Sequence, residues 1–191
     1  SAGWTFSNKD FTGTSFRNSN LSGIDFSNAT LKNAFFQDAD TTNANFSNTV
    51  DKGLTRSQLE RALNGLTNIN LSNNDLSGGD WNFLYNRDLT NTKFDNSNLT
   101  GIDFEKATLV NTSFEGATTT NANFSNTVEN GLTQAQLAGA SNGLTGVILS
   151  KNNLSNWNFS GRDLTDTELE YTNLTGVDFT NAILYHTLFT G

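Results

Sequence analysis

The feature that most constrains this chain is a large apolar residue at every fifth position. The first stretch has its centres at Phe6, Phe11, Phe16, Leu21, Phe26, Leu31, Phe36 and, after Thr41, Phe46. A period of five matches neither the 3.6-residue turn of a helix nor the two-residue alternation of a strand. It fits a chain that repeats one short extended step and one corner. The pattern therefore predicts a solenoid whose centres point inward.

The residues around each centre support this interpretation. A small residue such as Ala34 or Ala44 lies two positions before a centre, where it can share the interior. Gly or Asn commonly lies two positions after, as at Gly13 and Asn18, where a tight turn needs a residue that tolerates positive φ. Polar residues occupy the outward positions, as on an exposed strand face.

Two of these units carry a family resemblance. Residues 44–48 and 122–126 both read Ala-Asn-Phe-Ser-Asn and resemble the Ala-Asp/Asn-Leu-x-x motif of pentapeptide-repeat proteins. The resemblance covers nearly the whole chain. It implies an all-β fold, a right-handed quadrilateral β-solenoid with four pentapeptides per coil. About eight coils, roughly 37–40 Å long at the spacing of neighbouring strands, are expected.

With four units per coil, every fourth centre should stack in one column. The column that begins at Phe6 is predicted to contain Phe6, Phe26, Phe46, Phe83, Phe104, Phe124, Phe159 and Phe179. The next column is predicted to contain Phe11, Leu31, Leu66, Leu89, Leu109, Leu144, Leu164 and Leu184. Coils about 4.8 Å apart would stack identical side chains on one another. The uniform residue type within each column is therefore interpreted as fixing the register of the coils across the two inserts.

A longer repeat divides the predicted single solenoid of residues 1–191. Its units are 4–80, 81–156 and a shorter 157–191, which open at Trp4, Trp81 and Trp157. Because the third unit stops early and has no capping helix, we expect the chain to be part of a longer repeat array.

Two inserts, at about 51–65 and 129–143, interrupt the pentapeptides with the pattern Gly-Leu-Thr-x-x-Gln-Leu. The Thr and Gln have capping-box spacing, which predicts α-helices only at 56–63 and 134–140. Gly65 and Gly143 are expected to form left-handed helix exits. Counting whole coils per unit predicts that both helices leave the same corner, three coils apart.

Each predicted helix is too short to persist alone, so Leu59 and Leu137 should pack back on the solenoid. The Gln of the capping box lies on an exposed helix in this interpretation. Gln58→Ala is therefore expected to cost under about 1 kcal/mol.

Each Trp precedes a basic–acidic pair; the pairs are Lys9-Asp10, Arg87-Asp88 and Arg162-Asp163. Aromatic rings beside cations could form repeated ligand pockets. The favoured alternative is structural: each Trp covers the coil next to an insert while the basic stem packs along it, paired with a local Asp. Trp157 is then expected under the helix that carries Leu137.

No catalytic, cofactor-binding or metal-binding residue is predicted, and the chain is not expected to be an enzyme. The single histidine, His186, lacks the partners of a nucleophilic triad and is expected to be a surface residue, and there is no cysteine. Asp25, Asp103 and Asp178 are predicted to share one face, but whole units apart. That separation exceeds the roughly 10 Å that paired glycosidase carboxylates allow.

Composition narrows the partners. The net charge of −8 disfavours binding to nucleic acid, because there is no basic patch to neutralise phosphates. No apolar run reaches the 18 residues or so of a membrane span. The absence of cysteine excludes disulfides without fixing the compartment, although an extracytoplasmic location is favoured.

One outward column combines hydroxyl groups from successive coils: Ser22, Thr42, Ser77, Thr100, Thr120, Ser155 and Thr175. Such a ladder resembles the ice-binding faces of β-solenoid antifreeze proteins. The alternative is that these hydroxyls cap the turns.

Three functions remain open. The first is a structural or scaffolding solenoid that binds an unknown protein partner or surface, as repeat proteins do by shape. The family resemblance implies the second, an acidic DNA mimic that binds a type II topoisomerase. The third is ice binding through the hydroxyl column. Uncapped end coils would also permit end-to-end self-association.

Overall fold

The computed structural model describes residues 6–82, 84–141 and 143–191, and its backbone forms the predicted four-sided β-solenoid. Successive coils are joined by single parallel bridges, for example Asp25 to Asn45 and Asn45 to Asn70. Phe26 N donates to Asn45 O at 2.8 Å, and Asn45 N donates to Ile24 O at 2.9 Å. Each face contributes too few residues before the next corner for the described ladders to grow beyond single bridges.

The corners have the predicted chemistry. Outside the inserts and the turn after Leu76, the second residue after each centre adopts a left-handed conformation, with φ of 67° at Gly13 and 56° at Asn18. Some corners place less tolerant residues in this conformation: Lys106, Lys151, Tyr171 and His186. Left-handed backbone costs such residues about 1 kcal/mol each, so the stacked coils must stabilise these corners.

The interior separates rings from aliphatic side chains. Phe26 stacks on Phe46 of the next coil, with centroids 5.2 Å apart and planes at 5°. Phe26 also meets Phe36 edge to face across the core, at 5.8 Å and 86°. Because Phe and Leu alternate along the chain, rings occupy two opposite faces. We call these faces one and three, beginning with Phe6 on face one and Phe16 on face three; face two begins with Phe11 and face four with Leu21.

The bridge pattern corrects the register across the inserts. Phe46 N donates to Asn70 O, and Leu71 N donates to Lys93 O, both at 2.8 Å. Face one therefore runs through Phe6, Phe26, Phe46, Leu71, Phe94, Phe114, Leu137, Phe159 and Phe179. Face three runs through Phe16, Phe36, Leu59, Leu84, Phe104, Phe124, Leu149, Leu169 and Phe189. The columns hold eight or nine residues each, in agreement with about eight coils.

The predicted all-Phe column is right within each uninterrupted stretch and wrong between them. Phe104 does stack on Phe124, with centroids 4.9 Å apart. However, both belong to face three, opposite Phe46. Phe83 lies outside the described residues, and the fully buried Leu84 precedes Phe104 in the column, since its N donates to Asp103 O at 2.9 Å.

The predicted Leu column divides in the same way. Leu66, Leu89 and Leu109 lie on face four, whereas Leu31 and Leu164 lie on face two.

The physical reason is that each insert forms a coil of its own. Leu54 and Leu59 are buried and face inward, so the insert contributes its own sides between Phe46 and Leu71. When the sides formed by the inserts are counted, Leu137 of the second insert follows Leu59 of the first by three and a half coils. A half-turn slip carries a Phe face onto a Phe face, so column purity could not reveal it.

The helices lie where capping predicts but are shorter. Helix α1 is Arg56–Leu59 and helix α2 is Gln134–Ala138. Short 3-10 turns occur at Val50–Lys52, Gly79–Asn82 and Val128–Asn130. None of the helices in the described part of the chain is long and apolar enough to cross a bilayer.

Two predictions about the helices are wrong. Because of the half-turn slip, α1 lies on face three and α2 on the opposite face one, not at one shared corner. The helices also do not end at Gly65 and Gly143, since their C-caps are Glu60 and Gly139 with ordinary right-handed φ. Those glycines are left-handed, but they serve the later turns into Leu66 and Leu144.

Candidate functional site

The capping-box glutamine ties each helix to the coil before it. Thr55 N donates to Gln58 Oε1 at 2.7 Å, which confirms the capping box. Gln58 Nε2 also donates to the carbonyls of Leu31 and Ala34, at 2.9 and 2.7 Å. Gln136 repeats all of these contacts around α2. The side chain is therefore a part-buried link between coils rather than an exposed cap.

These contacts revise the expected cost of Gln58→Ala upwards, to about 2 kcal/mol, because the Ala34 carbonyl loses its donor, the Leu31 carbonyl loses one of two donors and the Thr55 amide loses its acceptor. Urea unfolding followed by circular dichroism measures this loss. Gln37→Ala is the matched control, since that exposed side chain makes no described hydrogen bond. A loss under 1 kcal/mol for Gln58→Ala would restore the exposed-cap interpretation.

A buried asparagine, which the sequence interpretation missed, holds the start of each insert. Asn74 Oδ1 accepts from Thr49 N and Val50 N at 2.8 and 3.0 Å, and its Nδ2 donates to Phe46 O at 3.0 Å. Asn152 makes the equivalent contacts in the second insert. The signal was available: Asn stands two residues before a centre, where most units have Ala, Ser, Thr or a β-branched apolar residue.

Asn74→Ala should cost about 2 kcal/mol, because it leaves the backbone amides of Thr49 and Val50 without their acceptor. Asn152→Ala should show the same loss, which makes the second insert an internal replicate. Differential scanning calorimetry of both variants provides the comparison. Losses that differ more than twofold would show that the two asparagines are not equivalent.

The Trp and basic residues lie beside the helices. Trp81 is 2% exposed, and Trp157 is half-buried, 5.9 Å from Phe159. Trp157 shares a cavity of only about 10 Å³ with Leu137 and Arg162, too small for a ligand. Arg87 pairs with Glu60 at 2.8 Å rather than with its neighbour Asp88. Trp4 lies outside the described residues.

The remaining predicted residues are not assembled into a catalytic site. Asp103 precedes a face-three centre, whereas Asp25 and Asp178 precede face-one centres, so the three do not share a face. His186 is exposed and does have a partner, Asp166 Oδ1 at 3.2 Å. Among the described residues, no group of His, Asp and Glu could hold a metal ion.

The predicted hydroxyl column is also divided between opposite faces. Ser77, Thr100 and Thr120 follow face-two centres, and Ser22, Thr42, Ser155 and Thr175 follow face-four centres. Several of these hydroxyls cap turns, as at Ser77, whose Oγ donates to Asp75 Oδ1 at 2.6 Å. That bond lowers the pKa of the Asp75 carboxyl.

A large cleft lies on face three. It has a volume of about 740 Å³ and lies between α1 and the coils of Phe16 and Phe36. Arg17, Lys32 and Arg61 contribute positive charge to its lining, and none of its lining residues is acidic. The Arg17 guanidinium lies over the Phe35 ring, 4.6 Å from the centroid.

Similarity to known proteins supports the fold. The pentapeptide-repeat model matches in 8 copies, over residues 10–49, 88–126 and 158–191, which together exceed half of the chain. None of the curated proteins searched matches the chain significantly.

Solved structures with similarity include HetL, a pentapeptide repeat protein involved in heterocyst differentiation regulation from Nostoc sp. strain PCC 7120. HetL is 20% identical, with 94% of this chain and 61% of HetL covered and a TM-score of 0.25. QnrB1, a plasmid-mediated fluoroquinolone resistance protein, is 14% identical, with 91% and 90% covered and a TM-score of 0.35.

Rfr23, a pentapeptide repeat protein from Cyanothece 51142, is 22% identical, with 64% of this chain and 58% of Rfr23 covered and a TM-score of 0.21. The chain thus spans about three fifths of the length of HetL and of Rfr23. The family-model match carries the assignment: this chain belongs to the pentapeptide-repeat family.

Proposed function

We propose that this chain is a non-enzymatic scaffold that binds protein partners through the outward surfaces of its insert coils. One observation carries the proposal: both inserts are held to the preceding coil by the same glutamine hydrogen bonds, but they present different outward surfaces on opposite faces. Gln58 and Gln136 make the same contacts. The exposed side of α1, by contrast, has Ser57 where α2 has Ala135.

Rigid placement is what such a scaffold needs. The coils are joined by parallel bridges on every face, so the two helices keep a fixed separation and opposite directions. Preorganised elements of this kind lose little freedom when a partner binds. The two inserts can therefore engage two molecules on opposite sides of one solenoid.

A photo-crosslinking amino acid at Ser57 or at Ala135, in cells that naturally express the protein, tests this function. Both side chains are exposed on the helices. We expect each position to capture a defined protein, with a different protein or a second copy of the same one at the opposite face. Position 93, exposed on face one two coils before α2 and on the face opposite α1, is the control. Equal capture at position 93, or none at either helix, would contradict the proposal.

The acidic DNA-mimic alternative rests on the net charge of −8 and on the family resemblance. The cationic cleft on face three is unlike a surface that imitates DNA. A gyrase supercoiling assay separates the two functions. The scaffold proposal expects no inhibition, whereas inhibition at stoichiometric protein would favour the DNA mimic.

A further inference from the structure

We propose that the cleft beside α1 binds a small organic polyanion that carries a planar group. The cleft adjoins the protein-binding surface proposed for α1, since Ser57 belongs to both, but the ligand proposal does not depend on that function. Its volume of about 740 Å³ falls in the range of roughly 300–1,000 Å³ that is typical of small-molecule pockets.

The charge of the cleft identifies an anion. Arg17, Lys32 and Arg61 line it, and none of them forms a salt bridge with any described residue. Three of the chain's 11 basic residues therefore line one cleft, and none of its 19 acidic residues does. Arg and Lys side chains in this arrangement suit phosphate or carboxylate groups, which accept charge-assisted hydrogen bonds.

The aromatic part of the cleft indicates a planar group on the ligand. Phe35 stands at an outward position, directly before its centre, and is 41% exposed. Its ring and the guanidinium of Arg17 are close, with Cζ 4.6 Å from the centroid. Such an assembly offers a flat surface on which an aromatic ligand can stack.

The second insert shows that these residues are not needed to build the coil. It retains Gly131, Thr133 and Gln136, the counterparts of the Gly, Thr and Gln around α1. At the positions equivalent to the four cleft residues, 78 residues later, it has Asp95, Val110, Ser113 and Gly139. The chain therefore folds the same coil without the cations and without the ring. Their concentration around one insert is explained by a ligand.

Isothermal titration calorimetry with ATP, tripolyphosphate and adenosine tests the proposal on the full chain. ATP supplies both a planar ring and several anionic groups, and the other two probes supply one feature each. We expect ATP to bind with one site, and each of the other probes to bind at least about tenfold more weakly, a difference of about 1.4 kcal/mol.

The test variant carries Lys32→Val, Phe35→Ser and Arg61→Gly, which copy residues of the second insert. It should lose at least about tenfold in ATP affinity while its thermal unfolding stays cooperative. The control variant, Lys93→Ala with Lys151→Asn, removes two positive charges from outside the cleft and should bind ATP unchanged. If the test variant does not fold, Lys32→Val alone, at an exposed side chain, takes its place.

Three outcomes would overturn the proposal. The first is no ATP binding up to about 1 mM, a concentration that corresponds to roughly −4 kcal/mol. The second is equal loss of binding in the test and control variants, which would indicate attraction by overall charge. The third is binding of tripolyphosphate or adenosine as tightly as ATP, since the cleft would then not recognise a planar polyanion.

Discussion

Trp81→Ala should lower the free energy of unfolding by about 4 kcal/mol, which is in the range for truncating a buried aromatic side chain to alanine. Trp81 is 2% exposed in the 3-10 turn Gly79–Asn82, which packs against α1. Polar contacts fix this turn on the helix: Asp80 Oδ2 accepts from Ser57 N at 3.1 Å, and Arg56 Nε donates to Asp80 O at 2.6 Å. Removing the indole would leave a cavity beneath the contact between this turn and α1, and the hydrogen bonds there would prevent the turn from moving in to fill it.

Two further variants separate packing from hydrogen bonding. The buried Trp81 Nε1 makes no hydrogen bond to the residues that the structure describes, so Trp81→Phe should lose only volume, at a cost of about 1.5 kcal/mol or less. Trp157→Ala should cost about 2 kcal/mol, because that ring is only half-buried. Guanidinium unfolding followed by circular dichroism gives all three values. Equal losses for alanine at Trp81 and Trp157 would contradict the different burial of the two rings.

Gly53→Ala should cost about 3 kcal/mol. Gly53 has φ of 92°, and a Cβ there would lie 2.8 Å from the Lys32 Cα and Cβ of the coil before it. The clash involves backbone, which cannot rotate away, and it adds to the strain of a left-handed alanine, which is about 1–2 kcal/mol by itself. The glycine therefore permits the close approach through which the insert coil rejoins the stack.

The chain supplies both a replicate and a control for this substitution. Gly131→Ala should be as damaging, since its Cβ would lie 2.9 Å from Val110 N. Gly13→Ala has a similar positive φ of 67° but nothing within 4 Å, so it should cost only about 1 kcal/mol. Thermal unfolding of the three variants orders them. If Gly13→Ala lost as much stability as Gly53→Ala, the strain of the left-handed backbone would explain both losses, and the predicted clash with Lys32 would be wrong.

Much of the fold could be predicted because it depends on residues that are close together in the sequence. The five-residue period, the small residue two positions before many centres and the Gly or Asn at most corners are all short-range signals. The capping boxes at Thr55 and Thr133 located both helices for the same reason. These features depend on neighbours a few residues apart, so sequence spacing is sufficient to identify them.

The register across the inserts could not be predicted from the same signals. Phe occupies two opposite faces, so a slip of half a turn preserves every column of rings. What decides the register is that Leu54 and Leu59 face inward, together with their counterparts Leu132 and Leu137. The eight-residue step from Phe46 to Leu54 conceals that Leu54 is a centre, because it breaks the five-residue spacing where the sides of the insert coil must be counted.

The cleft was missed for a related reason. Arg17, Lys32 and Arg61 are scattered in sequence and converge only when the insert coil is stacked on the coils before it. Their counterparts in the second insert offered a signal, because cations are replaced there by an acidic, an apolar and a glycine residue. That comparison requires the correct 78-residue equivalence, which the Trp spacing did not provide.

The half-turn slip is the central claim, and scalar couplings across hydrogen bonds test it most directly. In a long-range HNCO spectrum of the deuterated protein, we expect the Phe46 amide nitrogen to correlate with the Asn70 carbonyl carbon. The Phe124 nitrogen should likewise correlate with the Ile148 carbonyl carbon, since both N–H···O distances are 2.8 Å. A correlation from Phe46 to the Asn82 carbonyl would contradict the account, because it would place the rings in one unbroken column and both helices on one face.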